Sequence, residues 1–510
     1  MSGTIALRND SVRFEELSLD RENGQALVNF ELGLPVSRRW ANFDMSARGA
    51  NIQSVLRGNN RYEAEAAPFL VDVHVELRET ILSFDKFEIG IADARVQASG
   101  DLDFIDGSSS TEFSFTGEIP SLARLGRFDG RRFRDQGIKW GANIVGGGGA
   151  LTIDDLNVTL GESDVHGFVR YTKGDVPKLE IDIDSESILF GALLEEEELS
   201  SDAEREFDDG RLIPDMPVPF DALKQLNATV DIDIGSFISG NLHMRNINVA
   251  VELQDGVIDV HNASFDGLSG WLKARAKLEP ADGAGKASLE LVARNFAPGA
   301  SELNVDAAMT GDLDISLESS GVDTRTLAGN LNGVLFADMR GGQFTNSRAF
   351  SVIYGDMLTE ILSAINPFYK SDPKTKFKCI VLPIEVVDGN LSSAPNSFVS
   401  TEQIRLTSKS AVNLKTEKID MNFRTTPQKG LTISGGELFN PYIKIVGTLA
   451  SPKLAIDQTG VLVSGGAAVA TGGLSVLAKA TWDRVSRSRD PCNDTAKKGR
   501  EALGDRFPNI

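Results

Sequence analysis

Cysteine is almost absent from this chain of 510 residues, which has only Cys379 and Cys492. So sparse and even a count fits one disulfide in an oxidising compartment or two unpaired thiols in the cytosol, and composition does not choose between them. Proline is also scarce, at 18 residues against 49 glycines, which excludes Pro-rich disorder and favours many tight turns. Basic residues are in deficit, 52 against 73 acidic, for a formal net charge of −21. A nucleic-acid partner needs clustered Lys and Arg to neutralise phosphates, so it is excluded, as is long-range attraction to an anionic membrane surface. The first thirty residues alternate and carry charge, with no apolar signal-peptide core and no membrane span. The chain reads as starting inside its fold, as a fragment or a late gene start would.

Catalytic signatures are missing too. The four histidines, His74, His166, His243 and His261, sit in or beside alternating strands and never at zincin spacing. Each reads as a plain strand residue, and no metal or cofactor is expected. No Gly-x-Ser-x-Gly elbow occurs. Gly283-Ala-Gly-Lys286 lacks the leading Gly and the trailing hydroxyl of a phosphate loop and reads as a hairpin turn, as does Gly146 to Gly149. The acidic residues fall on the outward period of strands, so surface charge accounts for them and the chain reads as no enzyme.

What is present is strict alternation, the mark of a strand with one dry and one wet face. Val71, Val73, Val75 and Leu77 alternate with Asp72, His74, Glu76 and Arg78; Leu313, Ile315 and Leu317 alternate with Asp314, Ser316 and Glu318. The charged face is expected to meet solvent and not a second layer, as in antiparallel sheets. Four openings recur: Phe14-Glu-Glu-Leu17, Phe84-Asp-Lys-Phe87, Ile153-Asp-Asp-Leu156 and Val260-His-Asn-Ala263. The first three are spaced by 70 (84 minus 14) and 69 (153 minus 84), which points to stacked repeats. The expected fold is mainly β: tandem antiparallel strand repeats in an elongated curled sheet or groove, with a few amphipathic helices near the C-terminus.

The chain divides into a β-repeat region (1–194), an acidic, Pro-rich linker (195–219), a β-repeat core (220–340), a helix with closing strands (341–457), and a Gly-rich apolar tail with a basic end (458–510). Within 341–457, apolar residues from Phe350 to Ile365 follow helical spacing and stop at Asn366-Pro367. Gln458 to Ala478 is 21 residues without a charge, five of them Gly. It reads as a membrane span, as a segment buried on the β-structure, or as a short membrane-contacting helix, and Trp482 beside cations suits an interface.

Residues 220–495 resemble the conserved region of AsmA-family proteins. Asp221 to Asp233 is similar to the family's strand entry after a Pro-rich link. Val257-Ile-Asp-Val and Gly267 to Leu278 resemble its repeat. Gly355-Asp-Met-Leu to Phe368, Cys379 and Val387-Asp-Gly389 resemble its helix-to-strand junction. Thr416 to Met421 with Gly447 to Pro452 resembles its closing strands, and Val463 to Leu474, Trp482-Asp and Asp490-Pro-Cys492 its tail. The usual N-terminal membrane helix of the family is not in this chain. The resemblance implies a periplasmic β-structure associated with the inner membrane, related to groove proteins that carry phospholipid between membranes and support outer-membrane assembly. The expected partners are phospholipid, the membrane and envelope proteins, with no nucleic acid.

An apolar trough in water needs a ligand, and acyl chains fit one. The inward strand positions expected to line it are Val73 and Val75, then Phe113 and Phe115, Ile181 and Ile232, Val249 and Val251, and Ile315. A closed sandwich filled by the same side chains is the competing expectation. Leu474, Leu477 and Trp482 are the residues expected to cap the groove and touch the membrane.

The periplasmic setting that the resemblance implies permits a Cys379–Cys492 disulfide, which would fasten the tail to a strand. Alkylation of the unfolded but unreduced protein should then label neither thiol, whereas labelling of both would exclude the bond.

Overall fold

The computed structural model describes residues 2–7, 11–21, 24–33, 40–52, 62–103, 111–128, 131–190, 211–239, 242–267, 269–281, 284–297, 309–342, 376–402, 404–427, 442–456, 490–508 and 510. The chain is mainly β. A 26-stranded sheet holds most of it, and a small three-stranded sheet joins Tyr62–Ala64, Gly126–Phe128 and Arg131–Arg132. The expected helix at Phe350–Ile365 and most of the tail lie outside the described residues. The chain forms two compact units: 1–201 with 224–240 and 246–255, and 202–223 with 241–245 and 256–510.

In the first unit, successive strands of the large sheet from Ser2–Leu7 to Lys178–Phe190 pair antiparallel, as the alternation predicts. One pair departs from the pattern. Lys178–Phe190 and Asn227–Ser239 run parallel. Strands joined by a tight turn cannot be parallel, because a crossover of a dozen residues or more is needed to bring the chain back. The acidic, Pro-rich linker 195–219 is an insertion between these two strands in sequence and lengthens the spacing from the third opening to the fourth to 107 (260 minus 153).

The four recurrent openings are β-bulges. Between Phe14 and Leu17 two residues oppose one, Asn29; between Phe84 and Phe87 they oppose Ser99; between Ile153 and Leu156, Phe168; and in the second unit, between Val260 and Ala263, Arg275. Each extra residue shifts the strand's parity by one. Apolar positions are even-numbered up to Phe84 and odd-numbered from Phe87, so without the bulge half of that strand would turn its apolar side chains to water. A fifth bulge lies between Ala293 and Phe296, where the Asn295 N–H donates to Asp312 Oδ1 at 3.1 Å.

In the second unit the strands Thr310–Gly321, Asn332–Arg340 and Phe377–Val387 pair in sequence. A helix, Pro491–Leu503, packs on one face of them. Asp490 caps its N-terminus by accepting from the Asn493 N–H at 3.1 Å, and Pro491 occupies the first helical position, where no donor is lost. Its buried stripe is Pro491, Thr495, Gly499 and Leu503, one residue every fourth position, with Ala496 beside it. Gly499 permits the close approach: a Cβ there would stand 2.7 Å from Pro383 Cβ. The helix completes a core of Val334, Phe336, Cys379, Val381, Phe398, Ala496 and Leu503. Cys379 and Cys492 form a disulfide with Cα atoms 6.2 Å apart.

This helix corrects one expectation. Asp314 alternates with Leu313 and Ile315 and reads as a solvated outward residue, yet it is 1% exposed beneath the helix. Arg294 donates to its Oδ1 at 2.5 Å and Arg500 to its Oδ2 at 3.1 Å. Arg500 also stacks on Phe336, with 4.2 Å from Cζ to the ring centroid. A buried carboxylate is tolerated when charged donors satisfy both oxygens. A second buried carboxylate, Glu417, accepts from Arg211 Nε at 3.1 Å and from the Leu212 and Ile213 N–H groups at 2.7 and 3.2 Å, fixing the last part of the insertion.

Asp314→Asn keeps the size and removes the charge. Both arginines remain partly hydrated, so the expected loss is about 1.5–3 kcal/mol, the range for hydrogen bonds to charged groups. It should appear as a lower urea midpoint with unchanged slope.

Candidate functional site

The apolar face is assembled by register. In the first unit, Val75 stands opposite Phe84, Phe84 opposite Gly100, and Gly100 opposite Phe113. The row continues through Ile144, Ile153, Val169 and Ile181 to Val230. A parallel row links Met45, Val73, Phe87, Ala98 and Phe115. Ile232 stands opposite Ile183. The fold therefore brings Val73, Val75, Phe113, Phe115, Ile181 and Ile232 onto one face, although up to 159 residues separate them (232 minus 73). Gly100 has a local reason. It adopts φ +111°, and a Cβ would stand 2.1 Å from the Glu112 carbonyl oxygen. Its bareness lets the Phe84 and Phe113 rings meet edge-on, 5.1 Å between centroids.

The second unit has its own apolar row: Ala274, Leu291, Ile315, Leu335 and Ile384. Val249 and Val251, which belong to the first unit, are half-buried at alternate positions of the strand Leu242–Gln254. Leu474, Leu477 and Trp482 lie outside the described residues. The helix that the disulfide anchors lies against Phe336 and Pro383, the face opposite Ile315. It therefore covers the back of the apolar row and does not close over it, because Cys379 points to the same side as Val381 and Pro383.

The two faces of the same strands differ in cover. Phe336, Val334 and Val381, under the helix, are 0% exposed, whereas Leu335, Ile384 and Ile315, one residue out of phase, are half-buried. In the first unit, which includes Val249 and Val251, only Val73 of the eight candidates is buried, and the other seven are half-buried. Among the described residues the apolar rows are thus partly open to solvent.

The opposite face of the first unit is held by cross-strand ion pairs: Lys86 with Asp72, Arg95 with Glu88 at 3.1 Å, Lys139 with Glu118 at 2.8 Å and Arg170 with Glu180 at 3.1 Å. Hydrogen bonds from Lys178 and then Arg170 hold the Glu180 carboxyl below the usual range. The parallel register sets Asp182 beside Asp231, and Asp184 beside Asp233. Desolvation first, then the neighbouring Asp184, push the Asp182 carboxyl up. His74 is pushed up by its hydrogen bond to Asp44. In the sequence His74 reads as a plain strand residue, because Asp44 and Asp85 reach it from neighbouring strands, the latter through a bulge.

The two faces should respond differently to truncation. Phe336→Ala should cost about 3–5 kcal/mol, as for a fully packed ring. Ile315→Ala, on the half-open face, should fall below the 2–5 kcal/mol typical of buried Ile→Ala. Equal and large losses in denaturant melts would mean that both faces are sealed. Compared with known proteins, the chain matches no family model and no curated sequence.

Proposed function

We propose that this chain is a lipid-binding protein of the cell envelope, of AsmA type, which takes acyl chains along its apolar β-face and so holds or conducts phospholipid. The observation that carries the reading is the contrast across single strands. Side chains under the helix are 0% exposed, while the apolar row on the other side is only half-covered. A long apolar surface in water demands a ligand, and an acyl chain is apolar, extended and undemanding of direction. In the first unit the ion-paired opposite face supports the orientation, since it leaves the apolar row as the face that an acyl chain can cover. The disulfide suits the oxidising periplasm. In this reading the protein works from the inner-membrane side and supports outer-membrane assembly by binding, without catalysis.

Native mass spectrometry of gently purified protein should find co-purified phospholipid. Ile232→Asp should abolish that signal while leaving the melting transition in place, because a carboxylate on a water-accessible trough stays hydrated. In a sealed core the same change would cost several kcal/mol and unfold the unit. Loss of cooperative melting, with no lipid in the parent protein, would favour a filled scaffold that binds envelope proteins.

A further inference from the structure

The polar face of the first unit carries a constellation that lipid binding does not use. His74 and Glu76 occupy alternate positions of the strand Phe69–Arg78 and share a face. Asp44 stands directly opposite His74 on the neighbouring strand. On the other side, His74 pairs with Lys86 and Val75 with Phe84, which leaves Asp85 as the extra residue of the bulge. Bulges re-aim side chains, and this one brings Asp85 Oδ2 to 3.3 Å from His74 Nε2. Glu76 Oε1 lies 3.9 Å from the same nitrogen. The three ligand atoms fall within 4.8 Å of one another.

We propose that His74 Nε2, Glu76 and Asp85 form a site for a divalent cation of the zinc class, with Asp44 as the residue that orients the imidazole. Donors at about 2.0–2.1 Å from a tetrahedral zinc ion stand roughly 3.4 Å from each other. The 3.3 Å separation of Nε2 and Asp85 matches that edge, and the 3.9 Å separation from Glu76 closes by a small side-chain rotation. These spacings exceed the usual hydrogen-bond range of about 2.7–3.2 Å. Asp44 contacts Nδ1, the other ring nitrogen. A carboxylate on that nitrogen fixes the tautomer in which Nε2 carries the lone pair, the arrangement that supports metal-bound histidines. Glu76 is engaged by Arg78 through Oε2, at 2.5 Å, which leaves Oε1 for the ion. Lys86 is drawn aside by Asp72. The site is open, with Asp85 67% exposed, so water completes the coordination. A proton on Nε2 is the competitor, because the same carboxylates favour the imidazolium.

The test is zinc titration of the full chain by calorimetry, with Co2+ absorption as the geometric readout. The parent should bind one equivalent that His74→Gln lacks, and Co2+ should give the intense visible bands of a tetrahedral site in the parent but not in His74→Gln. Asp44→Asn should weaken binding about 10–100-fold, the usual effect of losing an orienting partner. His166→Gln, at another strand histidine, should leave the equivalent in place. If His74→Gln fails to fold by circular dichroism, Asp85→Asn at the exposed bulge should give the same loss. Identical titrations of the parent and a folded His74→Gln or Asp85→Asn protein would overturn the site. So would weak, octahedral-type Co2+ bands, which mean adventitious carboxylate binding only.

Discussion

Everything in this fold depends on keeping apolar side chains on one side of strands that are repeatedly interrupted. A period of two is unforgiving: one additional residue reverses every position after it. The chain meets this constraint with bulges that absorb the extra residue, between Phe84 and Phe87 and between Ile153 and Leu156, for example. The Asp155 backbone turns left-handed to do so, at φ 51°. The rows Val75-Phe84-Gly100-Phe113 and Leu291-Ile315-Leu335-Ile384 exist because parity is restored after each interruption.

The bulges also serve the polar face. A residue with no partner in the ladder is free to reach sideways, and Asp85 uses that freedom to approach His74. Elsewhere that face is stitched by ion pairs between neighbouring strands, such as Arg170 with Glu180, whose exposed geometry makes each worth little alone. Their larger effect is on specificity, since they penalise any register that sets like charges opposite each other. The parallel pair that aligns Asp182 with Asp231 runs against this rule, and it adds to the desolvation and the Asp184 charge that already push the Asp182 carboxyl up.

In the second unit a different solution holds where the helix lies. The strand Phe377–Val387 reads Phe-Lys-Cys-Ile-Val-Leu-Pro-Ile-Glu-Val-Val, with little alternation, because one face lies under the helix and the other carries the apolar row with Leu335. The disulfide, the Asp314 ion pairs and the stacking of Arg500 on Phe336 all hold the helix to the same side. The opposite row at Ile315 keeps its half-open character beside one of the most tightly packed parts of the molecule.

Strand content and the recurrence of the openings were legible in the sequence, because alternation and its breaks are local signals that survive without knowledge of partners. The lone cysteine pair permitted its bond. The helix start was written in Asp490-Pro491, although periodicity drew attention to the earlier segment at Phe350–Ile365. Three things were decided only by tertiary structure. The parallel pairing of Lys178–Phe190 with Asn227–Ser239 depends on a crossover whose course no local pattern encodes. The burial of Asp314 and Glu417 depends on arginines 186 and 206 residues away in sequence, so that two acidic residues resembling their solvated neighbours became buried anchors. The surroundings of His74 arise from register across three strands. Sequence fixes which face a side chain takes; only packing determines what, if anything, covers that face.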